Sequence, residues 1–152
     1  MAKTLPRSDQ IFALKNETIP LTVRQALIEQ VFALNRDCFA SRCTPHLSHL
    51  DRAETPKHVS PLNRICYMWW DIFILLGDRN DPDALNRACV EVMRKCLSLS
   101  HLAVQEGALH GLGHFCMDYP DLCRPIIDEF LRGIFPETLR AYALAAKEGD
   151  VL

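Results

Sequence analysis

The stretch VQEGALHGLGHF, Val104 to Phe115, sets His110 and His114 four residues apart. On a helix, positions i and i+4 lie on one face a single turn apart. Two imidazoles so placed can grip one transition-metal ion. The pattern reads H-G-L-G-H, however, and lacks the glutamate that H-E-x-x-H metalloproteases use as general base. A third ligand would have to come from His101, Cys116 or the loop histidines His46, His49 and His58. Imidazoles at the boundary of a core need no metal, and the sequence favours that reading. It assigns no catalytic residue, no metal and no cofactor, with a metal-dependent enzyme built on His110 and His114 as the alternative.

Asp71 is the other residue that demands a chemical explanation, because it interrupts the apolar run ICYMWWDIFILL. A carboxylate there must be hydrogen-bonded or paired, since an isolated buried charge is costly. The expected partners are Arg64 on its own helix, or an Arg or His from the helix pair that follows, and a structural network is favoured over catalysis. Trp69 and Trp70 are adjacent and so point about 100° apart on a helix. One belongs in the core, and the other, taken as Trp70, is available as an aromatic anchor for a partner. The seven cysteines are odd in number, scattered, and form no C-x-x-C pair. That argues against zinc ribbons and dithiol redox motifs and for free thiols acting as small hydrophobes in a reducing, cytoplasmic setting. No nucleophile elbow, phosphate-cradling loop or dinucleotide fingerprint is present.

The elements that must position these residues all read as helices, because apolar residues recur every three or four positions and never alternate. Helices are expected over about 8–15 and 21–42. An irregular loop follows over about 41–60, punctuated by Pro45 and Pro56 and holding at most one short helix near 47–53. Ser60-Pro61 is a favoured helix start, and that helix is expected to run to residue 76, stop at Gly77 and form the buried centre. Further helices are expected over 82–97 behind an Asp81 cap, through VQEGALHGLGHF to about Met117, over 120–131, and over 137–147 ending at Gly149. Short connections make neighbouring helices antiparallel within one domain spanning 1–152.

Bulk composition narrows the function classes. Of 152 residues, 49% are hydrophobic and 24% charged, which is that of an ordinary globular domain. The formal charge of −2 gives no basic excess, so a helical nucleic-acid binder is the least favoured alternative. The longest apolar run is too short to span a bilayer, which needs about 20 residues. The first residues lack the apolar run of a signal peptide, so a soluble cytoplasmic protein is expected.

Internal spacing adds a family resemblance. Gly77, Gly113 and Gly149 recur 36 residues apart, and the turns around Pro82-Asp83 and Pro120-Asp121 repeat at nearly the same interval, the period of a helix pair. VQEGALHGLGHF resembles the second-helix signature of HEAT-like repeats, with Val104, Ala108, Gly111, Leu112, Gly113 and Phe115 at matching positions. Gln105 replaces the usual basic residue and Gly111 a usual alanine, and the likeness extends only over the C-terminal half. It implies an all-α fold of antiparallel helix pairs stacked as a short right-handed superhelix that binds other macromolecules. Val104, Ala108, Gly111, Leu112 and Phe115 then form the packing stripe, while Glu106, His110, Gly113 and Met117 face solvent or a partner. On this reading the chain is a non-catalytic scaffold for a protein partner, with Glu106, His110, His114 and Trp70 as the binding surface. So few helix pairs also make homodimerisation over an exposed end an expected assembly.

Overall fold

A computed structural model describes residues 12–72 and 79–151, and among these residues every regular element is helical. A 3-10 turn at Phe12–Lys15 precedes α1 (Leu21–Leu34), whose rod continues through a π-helical segment, Asn35–Phe39, to Ala40–Arg42. The segment from Cys43 to Ser60 is irregular apart from a 3-10 turn at Ser48–Leu50. Then come α2 (Leu62–Tyr67), α3 (Trp69–Ile72), α4 (Asp83–Leu97), α5 (Leu102–Cys116), α6 (Pro120–Phe130) and α7 (Glu137–Lys147). No helix among the described residues is long and apolar enough to cross a membrane. The seven cysteines are free thiols, six of them buried.

Helix ends follow local chemistry. Pro120 opens α6 at its first turn, where its missing N–H is not needed. Basic Arg94 and Lys95 close α4 against the negative end of its dipole. Gly149 ends α7 in the left-handed region at φ 77°, with Asp150 N–H donating back to the Ala145 carbonyl at 2.9 Å. The expected Asp81 cap is not made: Pro82 holds the cap position of α4 without a side-chain bond, and Asp81 meets Lys15 at 3.3 Å.

The expected single helix over 61–76 is replaced by two short ones. Met68 leaves the helical region (φ −91°, ψ 8°) and separates α2 from α3. Residues 73–78, which include the expected stop at Gly77, lie outside the described residues, as do 8–11 of the first expected helix. The most buried helix is α5, not this segment, in which Ile65 and Ile72 remain substantially exposed. α5 packs against α2, α3, α4, α6 and α7, while α1 packs against α4. Leu109, Leu112 and Val104 of α5 are inaccessible, as are Leu85 and Met93 of α4, Ile127 of α6 and Leu139 of α7. Each such large apolar side chain contributes about 1.5–3 kcal/mol by leaving water.

Small residues let so many neighbours reach one rod. A Cβ on Gly107 would stand 2.6 Å from the Cys66 carbonyl oxygen, so the α2 backbone rests directly on α5 there. A Cβ on Gly111 would meet Trp70 at 2.6 Å and Met93 at 2.5 Å. Ala108 is likewise buried, so the expected close contact at Ala108 and Gly111 is present. Of the expected outward face only Met117, just past the end of α5, is open, at 70% exposure. Glu106 is 0% and His110 2% exposed, and Gly113 is buried, because the Ser48–His49 segment covers the first, Tyr67, Asp71 and Tyr142 surround the second, and Val151 packs on the third.

Candidate metal centre

Asp71, on α3, brings its two carboxylate oxygens to the two histidines of α5. Its Oδ2 lies 2.7 Å from His110 Nε2 and its Oδ1 lies 3.3 Å from His114 Nε2. The two Nε2 atoms are 3.3 Å apart. The break at Met68 makes this meeting: α3 starts a new turn in which Trp70 settles over Gly111 and Asp71 meets the next histidines along α5. His114 is about half exposed and Asp71 less so, and His110 sits beneath them.

The two 3.3 Å separations are of the size that coordination produces, whereas the 2.7 Å between Asp71 Oδ2 and His110 Nε2 is a hydrogen bond that a bound ion would have to replace. An ion about 2.1 Å from each of three donors places those donors about 3.0 Å apart in octahedral and about 3.4 Å apart in tetrahedral arrangement. Two imidazole nitrogens and one carboxylate oxygen are a donor set suited to divalent Zn, Fe, Mn or Co. An ion held by three such ligands would keep at least one position for water.

Without an ion the three groups satisfy one another. Burial alone would raise the Asp71 carboxyl, but hydrogen bonds and positive charge from His110 and His114 together outweigh it and hold the group well below the usual carboxylate range. The hydrogen bond and charge of Asp71 raise His114, against a smaller opposing effect of burial.

A second layer fixes His110. Its Nδ1 lies 2.7 Å from the Tyr142 hydroxyl on α7, and that hydroxyl lies 3.0 Å from the hydroxyl of Tyr67 on α2. The Tyr67 ring leans on the imidazole with centroids 4.4 Å apart. Such a bond to the remote ring nitrogen sets the tautomer and the ring plane of a metal ligand. Burial pushes the Tyr67 and Tyr142 hydroxyls above their ordinary range, so both stay protonated hydrogen-bonding groups.

Glu106, one turn before His110, has a different task. Its inaccessible carboxylate accepts the backbone N–H groups of Ser48 and His49 at 2.8 Å each, and its Oε1 lies 2.6 Å from His49 Nδ1. Three partners offset the cost of burying the charge and pin the irregular loop to α5. His49 in turn stacks on Tyr142 at 4.2 Å between centroids.

Of the residues expected to form a partner-facing surface, only His114 has substantial exposure; Glu106, His110 and Trp70 are buried and cannot contact a docked protein from where they stand. The expected sources of a third ligand lie elsewhere. His101 Nε2 meets the Cys43 carbonyl at 3.1 Å, His46 meets Asp51 at 2.8 Å, His49 is taken by Glu106, and the His58 ring packs edge-on to His46. Asp71 is instead the third member of the group that could hold an ion. Its signal is its position as an acid within an apolar run; of the expected partners (Arg64, or an Arg or His from the helix pair that follows) the histidines of α5 are the ones it meets. Nothing in local spacing marks Tyr142. Set against protein-family models, curated proteins and solved structures, the chain matches none.

Proposed function

We propose that this chain is a metal-dependent protein that binds a divalent transition-metal ion through Asp71, His110 and His114 and presents it, with open coordination positions, on the His114 side. The observation that carries this reading is the convergence of Asp71, His110 and His114, whose candidate donor atoms from α3 and α5 all lie within 4.8 Å of one another. A bound ion there would polarise a substrate oxygen or lower the pKa of a coordinated water, the chemistry of metal-assisted hydrolysis. The protein's own part is orientation: Tyr142 holds His110, and the α3–α5 contact holds Asp71.

Tag-free protein should retain or take up one equivalent of Zn²⁺ in calorimetric titration. His114→Ala should weaken that uptake about 10–100-fold or more, because two donors remain and the exposed position is lost. A wild-type chain that takes up no Zn²⁺, Mn²⁺ or Fe²⁺, or a variant that binds equally well, refutes the assignment.

A protein-binding stack of helix pairs is the second reading. Val23 and Leu27, one turn apart on α1 and each about half exposed, favour it as an apolar contact outside the metal centre. Cross-linking to a partner that is lost in Val23→Asp/Leu27→Asp would support it.

A further inference from the structure

A cavity of about 240 Å³ opens between the Ser48–Thr55 segment and α2, and it shares two walls with the network just described. Those walls are His49, bonded to Glu106 and stacked on Tyr142, and Tyr67, whose hydroxyl meets that of Tyr142. Arg52 and Arg64 also line the cavity, and neither guanidinium has an ion pair or hydrogen bond among the described residues. By contrast, Arg36, Arg79, Arg87 and Arg94 each hold a carboxylate. Two acids border the same space: Asp51, engaged by His46 at 2.8 Å, and Glu54. The fixed charges balance, which disfavours a polyanion and suits one compact oxyanionic head between the two guanidinium forks.

We propose that this cavity is a second ligand site, taking a single oxyanionic group of the carboxylate or phosphate class through Arg52 and Arg64, and that the Tyr67–Tyr142–His110 chain couples its occupancy to the metal centre. The coupling rests on the metal reading; the oxyanion site does not. In the tautomer that donates from Nε2 to Asp71, Nδ1 accepts from Tyr142, and the Tyr142 oxygen accepts from Tyr67. A metal ion needs the Nε2 lone pair, so the ring must carry its proton on Nδ1 and every bond in the chain reverses. Nδ1–H then donates to Tyr142, Tyr142 donates to Tyr67, and the Tyr67 hydroxyl keeps a proton that it no longer gives to Tyr142 and can donate to an oxyanion in the cavity it lines. One proton leaves Nε2 for solvent and solvent supplies one to the Tyr67 oxygen, so the count is unchanged. Coupling of this kind is reciprocal: the oxyanion tightens the metal by the factor by which the metal tightens the oxyanion.

Calorimetric titration of metal-free protein with sulfate, and separately with acetate, tests the site, and repetition after Zn²⁺ saturation tests the coupling. We expect one oxyanion site in the metal-free protein, with sulfate preferred if the natural head is a phosphate and acetate if it is a carboxylate. Arg52→Ala/Arg64→Ala, two exposed changes, should weaken it about tenfold or more. Zn²⁺ should strengthen it several-fold in the wild type and leave it unchanged in Tyr67→Phe, which retains both arginines. Absence of binding by either anion at millimolar concentration, or undiminished binding by the double-arginine variant, overturns the site. Equal Zn²⁺ enhancement in Tyr67→Phe overturns the coupling, since the anion would then be reaching the ion directly. If Zn²⁺ itself fails to bind, the metal reading and the coupling fall together, while the metal-free titrations still decide the cavity.

Discussion

Asp71 gives each of its oxygens to a different imidazole, and this makes the metal-free centre sensitive to pH on two sides. The carboxyl is held below its ordinary range, so its contribution to stability is present above the unfolded value of about 3.9 and is lost as pH falls through the folded one. His114 is raised, so its contribution is complete below about 6.5 and is lost as pH climbs through its folded value. Urea melts in the presence of a chelator should therefore show this pair contributing most between about pH 4 and 6.5. In Asp71→Asn the stability difference from wild type should shrink toward both ends of that window; a pH-independent difference would show that no ion pair forms. The i, i+4 pair and the anomalous acid are legible in the sequence, because each breaks a local expectation. Their meeting is not, since nothing in helical periodicity records which turn of α5 lies beside α3. Glu106 and His110 are misplaced on a solvent face by the same limitation: a stripe of small residues identifies one contact surface and is silent about whether the opposite surface is also covered.

Helices whose ends carry a proline, a glycine or a charge bias emerge from the sequence close to their observed bounds, as α4, α6 and α7 do. The division of α2 from α3 does not, because Met68 is a competent helix former and neither proline nor glycine marks the break. It is imposed by tertiary packing, with Cys66 pressed on Gly107 and Trp70 over Gly111. Gly107 is thus the place where an element-scale change should reach the centre. A methyl group there would stand 2.6 Å from the Cys66 carbonyl oxygen, a backbone atom that can yield only if α2 moves. Gly107→Ala should cost about 1–3 kcal/mol or more in urea denaturation and should also weaken Zn²⁺ binding, because α3 and Asp71 follow α2. At Gly133 the added methyl would meet its nearest atoms at 3.2 and 3.3 Å, on an exposed turn. Gly133→Ala should accordingly stay within about 0.5 kcal/mol of wild type. Equal losses at both positions would show that the α2–α5 contact does not constrain the centre.

At the scale of the whole molecule, one helix carries both the apolar core and the polar network. α5 touches α2, α3, α4, α6 and α7, and from it Glu106 reaches the irregular loop while His110 reaches Asp71 and Tyr142. An ion at the centre would join α3 to α5 across 39 residues of sequence, with α4 enclosed between them in the chain. Metal that binds only the folded form adds RT ln(1 + [L]/Kd) to stability, about 2.7 kcal/mol at a hundredfold excess over Kd. For a chain of this size each kcal/mol moves the melting midpoint by about 2–4 °C, so saturating Zn²⁺ should raise it by about 5–10 °C, reversibly on chelation. His114 is half exposed and is not part of the apolar core, so above the pH at which its pairing with Asp71 contributes, His114→Ala should melt near the metal-free wild type and show no such rise. A variant that retained the full Zn²⁺ shift would place the ion somewhere other than between α3 and α5.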